Sequence, residues 1–320
     1  MDAQLFLADL EGKPARLDAL AGAIDDGWPA WPRHRDATSI GNVVIIGMGS
    51  SLYAAQVGAQ RLRVSGVSAI AESAAVESTL PLGERDLAVG ISASGASAET
   101  LRLFETCAAA TRVAMTNRAG SAITTGADHV VDLLAGDEAG GVACRSFAHT
   151  LLALLSLEEH LCGTDLQIAT RVRAAATAAR DLLDRRDQWL AQATDLLAGP
   201  HGTWLLAPAE RLSSAMQGAL MLREGPRRSA AGCETGDWSH VDVYLTKTLD
   251  YRALVFPGSR WDVEAARWMA ERGSTIVAVG GDFPGAAQTV RHHGDDDALV
   301  RLLVETTVPE LVAASLWISG

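Results

Sequence analysis

The fold class is decided by one stretch, Leu87-Ala88-Val89-Gly90-Ile91-Ser92-Ala93-Ser94-Gly95-Ala96-Ser97-Ala98-Glu99-Thr100. Its first five residues form a continuous apolar run, which is typical of a strand buried on both faces of a parallel sheet. A loop of serines and one glycine follows. Apolar residues at helical spacing, Leu101, Phe104 and Cys107, then predict an amphipathic helix. The order strand, small-residue loop, helix predicts one βα unit of a parallel sheet.

The loop has the composition of an anion-binding site. It carries the hydroxyls of Ser92, Ser94 and Ser97, and Gly95 lets the backbone approach a ligand closely. The start of a helix also presents unpaired backbone N–H groups and the positive end of the helix dipole. These groups suit a phosphate held without a lysine. The alternative is an ordinary βα loop with a serine N-cap, and the loop alone favours neither.

Further apolar runs extend the βα alternation in both directions. The first half predicts strands at residues 42–46, 69–71, 87–91, 113–115 and 130–133, and the second half at 203–206, 251–256 and 275–279. Helical patterns separate them, so we predict an α/β fold with two doubly wound parallel-sheet units in tandem. The second half repeats the first as a diverged duplication would.

The chain is expected to have four parts. Residues 1–36 form an N-terminal helical arm, interrupted by Trp28-Pro29-Ala30-Trp31-Pro32. Residues 37–165 form the first α/β unit and residues 199–320 the second. Between them, residues 166–198 form an amphipathic helical stretch without glycine or proline, which we interpret as a bridge between the units.

Composition excludes several classes of function. The formal net charge is −12 and there is no basic run, so no nucleic-acid partner is expected. Four scattered cysteines without a C-x-x-C pair argue against a zinc site and a disulfide framework. No signal peptide opens the chain, and no apolar run reaches the roughly 18 residues of a membrane span. We therefore expect no membrane association and a cytoplasmic location.

Three partial motifs are weighed and set aside. Gly47-Met48-Gly49-Ser50-Ser51-Leu52 lacks the third glycine of a dinucleotide fingerprint, which argues against NAD. Gly90-Ile91-Ser92-Ala93-Ser94 has a serine where a nucleophile elbow needs glycine. His292-His293 with Asp295-Asp296-Asp297 is interpreted as a solvated acidic loop rather than a metal site. No cofactor and no metal are expected.

Two residues of the second half are ambiguous when taken singly. Glu224 closes a predicted helix that begins at Ser213, and on its own it would more often be a solvated helix end or a partner of Arg227 or Arg228. His240 on its own would more often be structural than catalytic.

Several motifs in the same order resemble the sugar isomerase (SIS) family, from about Asn42 to near the C-terminus. The resemblance is to the isomerase half of glutamine:fructose-6-phosphate amidotransferases and to their stand-alone isomerase and deaminase relatives. His240 follows Glu224 by sixteen residues, which is the spacing of the family's glutamate and histidine. The other matching motifs are Gly49-Ser50-Ser51, Ser92-Ala93-Ser94-Gly95-Ala96-Ser97, Asn117-Arg118-Ala119-Gly120-Ser121, Gly141-Val142-Ala143 and Gly236-Asp237-Trp238-Ser239-His240.

The resemblance implies two flavodoxin-like SIS units and assigns roles to particular residues. Glu224 would be the base that moves a proton between C1 and C2 of a sugar phosphate. His240 would help to open the sugar ring, reaching into the site of the neighbouring subunit of a homodimer. The phosphate would be held by Ser51, Ser92, Ser94 and Ser97, in loops completed by Ser50 and Gly95.

The departures from the family concern lysine and nitrogen supply. No cysteine lies near residue 1, so glutamine is not expected to donate nitrogen within this chain. The family's two site lysines are matched by Met221 and Arg145, and the C-terminal residues contain no lysine. A Schiff base on the protein is therefore not expected, because arginine stays protonated.

Two functions remain. The first is a phosphosugar aldose–ketose isomerase, or an amino-sugar-phosphate isomerase or deaminase. The alternative is a non-catalytic phosphosugar-binding regulator. The presence of both Glu224 and His240 favours the enzyme. The loop Pro257-Gly258-Ser259 lies in the second half where the serine loop lies in the first, and we expect it to have lost phosphate binding.

Overall fold

The computed structural model describes residues 1–32 and 39–320 and contains two five-stranded parallel sheets. This confirms the predicted α/β fold with two doubly wound sheets in tandem. The chain divides into two compact units, neither of which is one continuous stretch. The first-sheet unit comprises Arg16–Asp137 and Arg145–Thr170, and the second-sheet unit comprises Met1–Ala15, Glu138–Cys144 and Arg171–Gly320.

Two helices open the chain, α1 (Ala3–Glu11) and α2 (Lys13–Asp25). Asp2 caps α1, because its carboxylate accepts the N–H of Leu5 at 2.9 Å and satisfies one of the free amides of the first turn. Residues 33–36 of the predicted arm lie outside the described residues.

The first sheet has the strand order β2-β1-β3-β4-β5. Its strands are β1 (Asn42–Gly47), β2 (Ser68–Ser73), β3 (Leu87–Ile91), β4 (Thr111–Thr116) and β5 (His129–Asp132). The accompanying helices are α3 (Ser50–Val64), α4 (Ala98–Thr106), α5 (Ala122–Thr125) and α6 (Arg145–Cys162). Every residue of β3 is buried, as its continuous apolar run predicts for a central parallel strand.

The strand order changes direction between β1 and β3. β1 pairs with β2 on one side and with β3 on the other, where Ile46 lies opposite Gly90. Loops that leave neighbouring strands at such a switch point run to opposite faces of the sheet and open a crevice at its carboxyl edge. Both predicted phosphate-binding loops, after β1 and after β3, begin at this edge.

The stretch 166–198 contains two helices rather than one, α7 (Ile168–Asp184) and α8 (Arg186–Leu197). The break at Arg185 is accompanied by a local hydrogen bond. The indole N–H of Trp189 donates to the carbonyl of Leu182 at 3.2 Å and satisfies one of the carbonyls freed where α7 ends.

The second sheet repeats the topology of the first, with the order β10-β9-β8-β6-β7. Its strands are β6 (Thr203–Ala207), β7 (Ala230–Glu234), β8 (Arg252–Val255), β9 (Thr275–Val279) and β10 (Gln288–Val290). Its helices are α9 (Leu212–Glu224), α10 (Thr235–Trp238), α11 (Asp262–Glu271), α12 (Ala298–Val304) and α13 (Thr307–Ser319), with 3₁₀ turns at Ala209–Arg211 and Asp242–Lys247.

The acidic loop after β10 differs from its prediction at one residue. His292 is buried rather than solvated, and burial lowers the pKa of its imidazole. Among the residues that the structure describes, no group of three or more histidine, cysteine, aspartate or glutamate side chains is arranged to hold a metal ion. None of the helices in these ranges combines the length and apolar character needed to cross a lipid bilayer.

Candidate functional site

The serine loop leaves β3 and enters α4 at the carboxyl edge of the first sheet. Ser92 is buried, Ser94 is exposed and Ser97 is half-buried at the N-cap of α4. The N–H of Ser92 donates to the carbonyl of Met115 at 3.0 Å, which continues the pairing of β3 with β4 beyond the strand itself. The loop therefore starts from a fixed position on the sheet.

The three loop hydroxyls have different partners. Ser92 Oγ accepts the N–H of Ser97 at 3.4 Å, so it closes the loop on itself. Ser97 Oγ donates to Glu99 Oε2 and accepts from Thr100 Oγ1, each at 3.1 Å. An arriving phosphate oxygen would replace Glu99 as the acceptor at Ser97. Among the described residues, Ser94 Oγ accepts only a long 3.4 Å bond from the N–H of Ala96, and it is the most accessible of the three hydroxyls.

Gly95 has a structural reason to be glycine. Its φ is +68°, a backbone conformation that other residues rarely adopt, and a Cβ atom there would overlap the side chain of Ser121. Ser121 lies 3.5 Å from Thr116 Oγ1, which also accepts the N–H of Arg118 at 3.2 Å. Thr116, at the end of β4, and Ser121 after it thus pack against the serine loop at Gly95.

The turn after β1 and the start of α3 supply two further hydroxyls, those of Ser50 and Ser51. Gly47 leaves no room for a side chain, because a Cβ atom would lie 2.9 Å from Ser51 Cβ, and Gly49 has a φ of +50°. The hydroxyl of Ser50 is buried and has no hydrogen-bond partner among the described residues. A buried polar group without a partner costs stability, and a bound phosphate oxygen would satisfy it. Ser51 is half-buried.

Glu224 is the last residue of α9 in the second-sheet unit, as predicted. Its carboxylate is half-buried and has no hydrogen bond or ion pair within the described ranges. Burial raises the pKa of the Glu224 carboxyl, and the neighbouring charge of Arg223 opposes this in part. A carboxylate in that state is suited to accepting and returning a proton.

Gln217 is a buried polar residue on α9 that the sequence analysis did not single out. Its Nε2 donates to the carbonyl of Ala143 at 2.8 Å, which joins the segment Glu138–Cys144 to α9 within the second-sheet unit. A glutamine in a mostly apolar helical pattern was the available signal. This signal does not predict the contact, because a hydrogen bond to a backbone carbonyl 74 residues earlier leaves no local sequence pattern.

His240 follows α10 and is exposed. It lines an open cleft of about 570 Å³. Glu224 is not among the residues that line it, so the structure does not place the predicted base and the predicted ring-opening histidine in one cleft of the second-sheet unit. The other lining residues are Glu234, Gly236, Asp237, Ser239, Trp261 and Glu264.

The loop Pro257-Gly258-Ser259 leaves β8 at the same topological position as the serine loop leaves β3. Its amides are occupied from within the chain. The N–H groups of Gly258 and Ser259 donate to Asp262 Oδ2 at 2.7 and 3.1 Å, so a carboxylate of α11 takes the place that an anion would have. Arg211, near Gly258, is itself paired with the buried Glu305 at 3.0 Å.

The two lysines of the chain contact residues other than the predicted base. Lys13 is buried in an ion pair with Glu310 and also contacts Thr307. Lys247 Nζ lies 5.2 Å from the centre of the Tyr244 ring. Neither has an arrangement that suggests an imine-forming lysine.

Fold and loops together define an α/β protein with tandem SIS-type sheets, and comparison with known families agrees. The SIS domain model matches residues 38–158, which include the first sheet and the serine loop. The resemblance to the sugar isomerase family is therefore confirmed.

Curated relatives and solved structures extend the likeness beyond the first sheet. Glutamine–fructose-6-phosphate aminotransferase (isomerizing) of Pyrobaculum aerophilum is 26% identical over 244 residues, which cover 73% of this chain and 38% of that protein. The chain thus spans well under half the length of this relative.

Two solved structures share the whole fold. The C-terminal domain of glucosamine-fructose-6-phosphate aminotransferase from Francisella tularensis has a TM-score of 0.83 at 17% identity, covering 98% of this chain and 96% of that one. Tagatose-6-phosphate ketose/aldose isomerase from Escherichia coli has a TM-score of 0.76 at 14% identity, covering 100% of this chain and 95% of that one. At these identities the likeness shows the fold.

Proposed function

We propose that this protein is a phosphosugar isomerase, or an amino-sugar-phosphate isomerase or deaminase, in which Glu224 transfers a proton between C1 and C2. The observation that carries the proposal is the Glu224 carboxyl. It is half-buried, has a raised pKa and has no partner among the described residues. In the sequence resemblance it matches the family's catalytic glutamate. A structural glutamate at a helix end would gain from a partner or from water.

The serine loops supply the binding half of the proposal. Ser50 and Ser51 begin α3 after the turn that follows β1, and the other three serines lie in the loop after β3, which reaches the same edge of the first sheet: Ser92, Ser94 and Ser97. The buried Ser50 hydroxyl is unpaired in the described chain. Phosphate held by these hydroxyls and by backbone amides would orient the sugar without any lysine. Binding energy spent on a non-reacting group in this way supports the reaction at C1 and C2.

The proton transfer balances without a cofactor. In an aldose phosphate, Glu224 takes the proton from C2, the electrons of the C–H bond form the C1=C2 bond of the enediol, and O1 gains a proton. The same carboxyl then returns its proton to C1 while O2 loses its proton, which gives the ketose. When C2 carries an amino group, this transfer gives an imine at C2. Water then hydrolyses the imine to the ketose and releases ammonia.

His240 is proposed to assist ring opening in the neighbouring subunit of a homodimer. Its side chain is exposed and lines a cleft that does not include Glu224. Both observations support a role in the site of a second chain rather than beside the Glu224 of its own chain. Met221 and Arg145 at the family's lysine positions, together with the engaged Lys13 and Lys247, support enolisation by a carboxylate rather than a Schiff base on the protein.

The proposal is tested by hydrogen exchange in deuterated water. Wild-type protein is incubated with fructose 6-phosphate, tagatose 6-phosphate or glucosamine 6-phosphate, and NMR follows the C1 and C2 hydrogens and the products. Glu224→Gln keeps the shape of the side chain and removes its basicity. We expect it to fold, to bind the sugar phosphate and to lose exchange by a factor on the order of a hundred or more.

The control for this test is Glu271→Gln, which changes another glutamate at a helix end, the exposed last residue of α11. It should exchange at the wild-type rate. Binding of a sugar phosphate by the wild type without any exchange would instead support the regulator. Exchange by Glu224→Gln at the wild-type rate would place the base elsewhere.

A further inference from the structure

The end of the helix that carries Glu224 is covered by the last helix of the chain. A Cβ atom built on Gly225 would lie 2.9 Å from Cε3 of Trp317, so the indole packs directly on the backbone that follows Glu224. Two turns earlier, a Cβ atom on Gly218 would lie 2.8 Å from Cγ of Pro309. Glycines at both positions allow α13 to approach α9 closely.

Trp317 is in turn supported by the first helix. The rings of Phe6 and Trp317 have centroids 6.1 Å apart at 48°. α1 also packs tightly against Gly140, where an added Cβ would lie 2.5 Å from the backbone of Phe6. The last helix, α13, thus covers the end of α9, and the first helix, α1, packs against α13 within the same second-sheet unit.

Helix geometry places Glu224 beside this contact. Gly218 and Gly225 are seven residues apart and face α13 together, and Glu224 is displaced from Gly225 by about 100° around the axis. Gln217 and Met221 precede Glu224 on its own face, and both are buried. Glu224 therefore ends a buried face of α9 and immediately precedes the backbone that the indole covers.

We propose that Trp317 is a positioning residue for Glu224, and that its indole closes one side of the carboxylate to water. Shielding of the Glu224 carboxylate by Trp317 does not depend on the proposed function. Only the expected effect of this shielding on catalysis rests on it. A carboxylate that loses this cover becomes better hydrated, its charged form is stabilised and its strength as a base falls.

The charged groups around α9 do not offer a competing explanation. Arg223 is the neighbouring charge, and it lowers the pKa of Glu224, opposite to the net shift. On the elements packed against α9, Glu310 pairs with Lys13, Arg211 pairs with Glu305 and Glu234 caps α10, while Glu210 and Arg227 are exposed. The raised pKa of Glu224 follows from burial.

The test measures the titration of Glu224 directly. Carboxyl carbon NMR of ¹³C-labelled protein assigns Glu224 by the signal that Glu224→Gln removes. We expect Trp317→Ala to lower the pKa of Glu224, and Trp317→Phe to retain most of the wild-type value. Ile318→Ala, which shortens an exposed side chain one residue further along α13, should leave it unchanged.

The same variants are then assayed for hydrogen exchange with the sugar phosphates named above. Trp317→Ala should exchange about tenfold more slowly at neutral pH, with unchanged sugar-phosphate affinity, because the base is weakened and the phosphate loops are intact. An unchanged Glu224 pKa in folded Trp317→Ala, or an equal shift in Ile318→Ala, would overturn the inference. A shifted pKa in a protein whose wild type exchanges no hydrogen would overturn the proposed function alone.

Discussion

At the scale of single residues, the protonation of Glu224 links stability to function. A group whose pKa is higher in the folded than in the unfolded protein stabilises the fold at low pH, and this contribution is lost as the pH rises through the folded pKa. Glu224 is such a group, because burial disfavours its charge and no cation among the described residues pairs with it. The charged form of Glu224 therefore lowers the free energy of unfolding at neutral pH.

The first prediction follows from the raised pKa of Glu224. Glu224→Gln cannot ionise, so its stability relative to the wild type should increase as the pH rises from about 4 to about 8. Melting temperatures measured across that range would show the trend. Glu271→Gln, which alters the exposed last residue of α11, is the matched control. A difference between Glu224→Gln and the wild type that is constant with pH would contradict the raised pKa.

Single residues also show where sequence reasoning reached its limit. Glu224 and the loop serines could be proposed from the sequence because their motifs are local and ordered. Asp262 and Trp317 could not, because their importance depends on the loop amides and the helix end that they contact after folding. His292 was misjudged for the same reason, since only the folded chain buries it.

At the scale of elements, all five strands of the first sheet were predictable, whereas the two edge strands of the second sheet, β7 and β10, were not. β7 reads Ala-Ala-Gly-Cys-Glu, with no β-branched residue, and β10 has only three residues. Edge strands are partly exposed and need no continuous apolar run, so their sequences resemble loops.

The serine loop carries the second prediction. Ser92→Ala and Ser94→Ala should each weaken sugar-phosphate binding by ~1–2 kcal/mol, the value of a hydrogen bond to a charged group. Ser92→Ala should also lower the melting temperature more, because buried Ser92 accepts the N–H of Ser97. Calorimetry with the sugar phosphate and the free sugar measures the effect, and Ser259→Ala in the second loop is the control. Equal affinity of the wild type for both sugars would refute it.

The second loop carries the third prediction. Asp262 Oδ2 already accepts the amides of Gly258 and Ser259, so a phosphate would have to displace a carboxylate that is part of the chain. We expect each chain to bind one sugar phosphate. Titration calorimetry gives the stoichiometry, and Asp262→Asn, which keeps an acceptor oxygen, should not alter it. A value of two per chain would show that the second loop still binds phosphate.

At the scale of the whole molecule, the surface beside His240 carries two large apolar side chains that are exposed. Val241 and Tyr244, one and four residues after His240, are 58% and 60% exposed. Exposed apolar side chains grouped in this way often mark an interface. They support the proposal that a second copy of the chain covers this surface and receives His240 in its site.

The last prediction tests that arrangement by mixing two inactive proteins. If each site uses Glu224 from one chain and His240 from the other, a mixed dimer of Glu224→Gln and His240→Ala contains one intact site and one site that lacks both groups. Random reassociation makes half of the dimers mixed, so the equimolar mixture should regain about a quarter of the wild-type activity. The assay needs a cyclic sugar phosphate, because His240→Ala should impair ring-closed substrates more than open-chain ones. The two variants assayed separately are the controls, and gel filtration establishes that chains have exchanged. Reassociated dimers that stay inactive would show that both residues serve the site of their own chain.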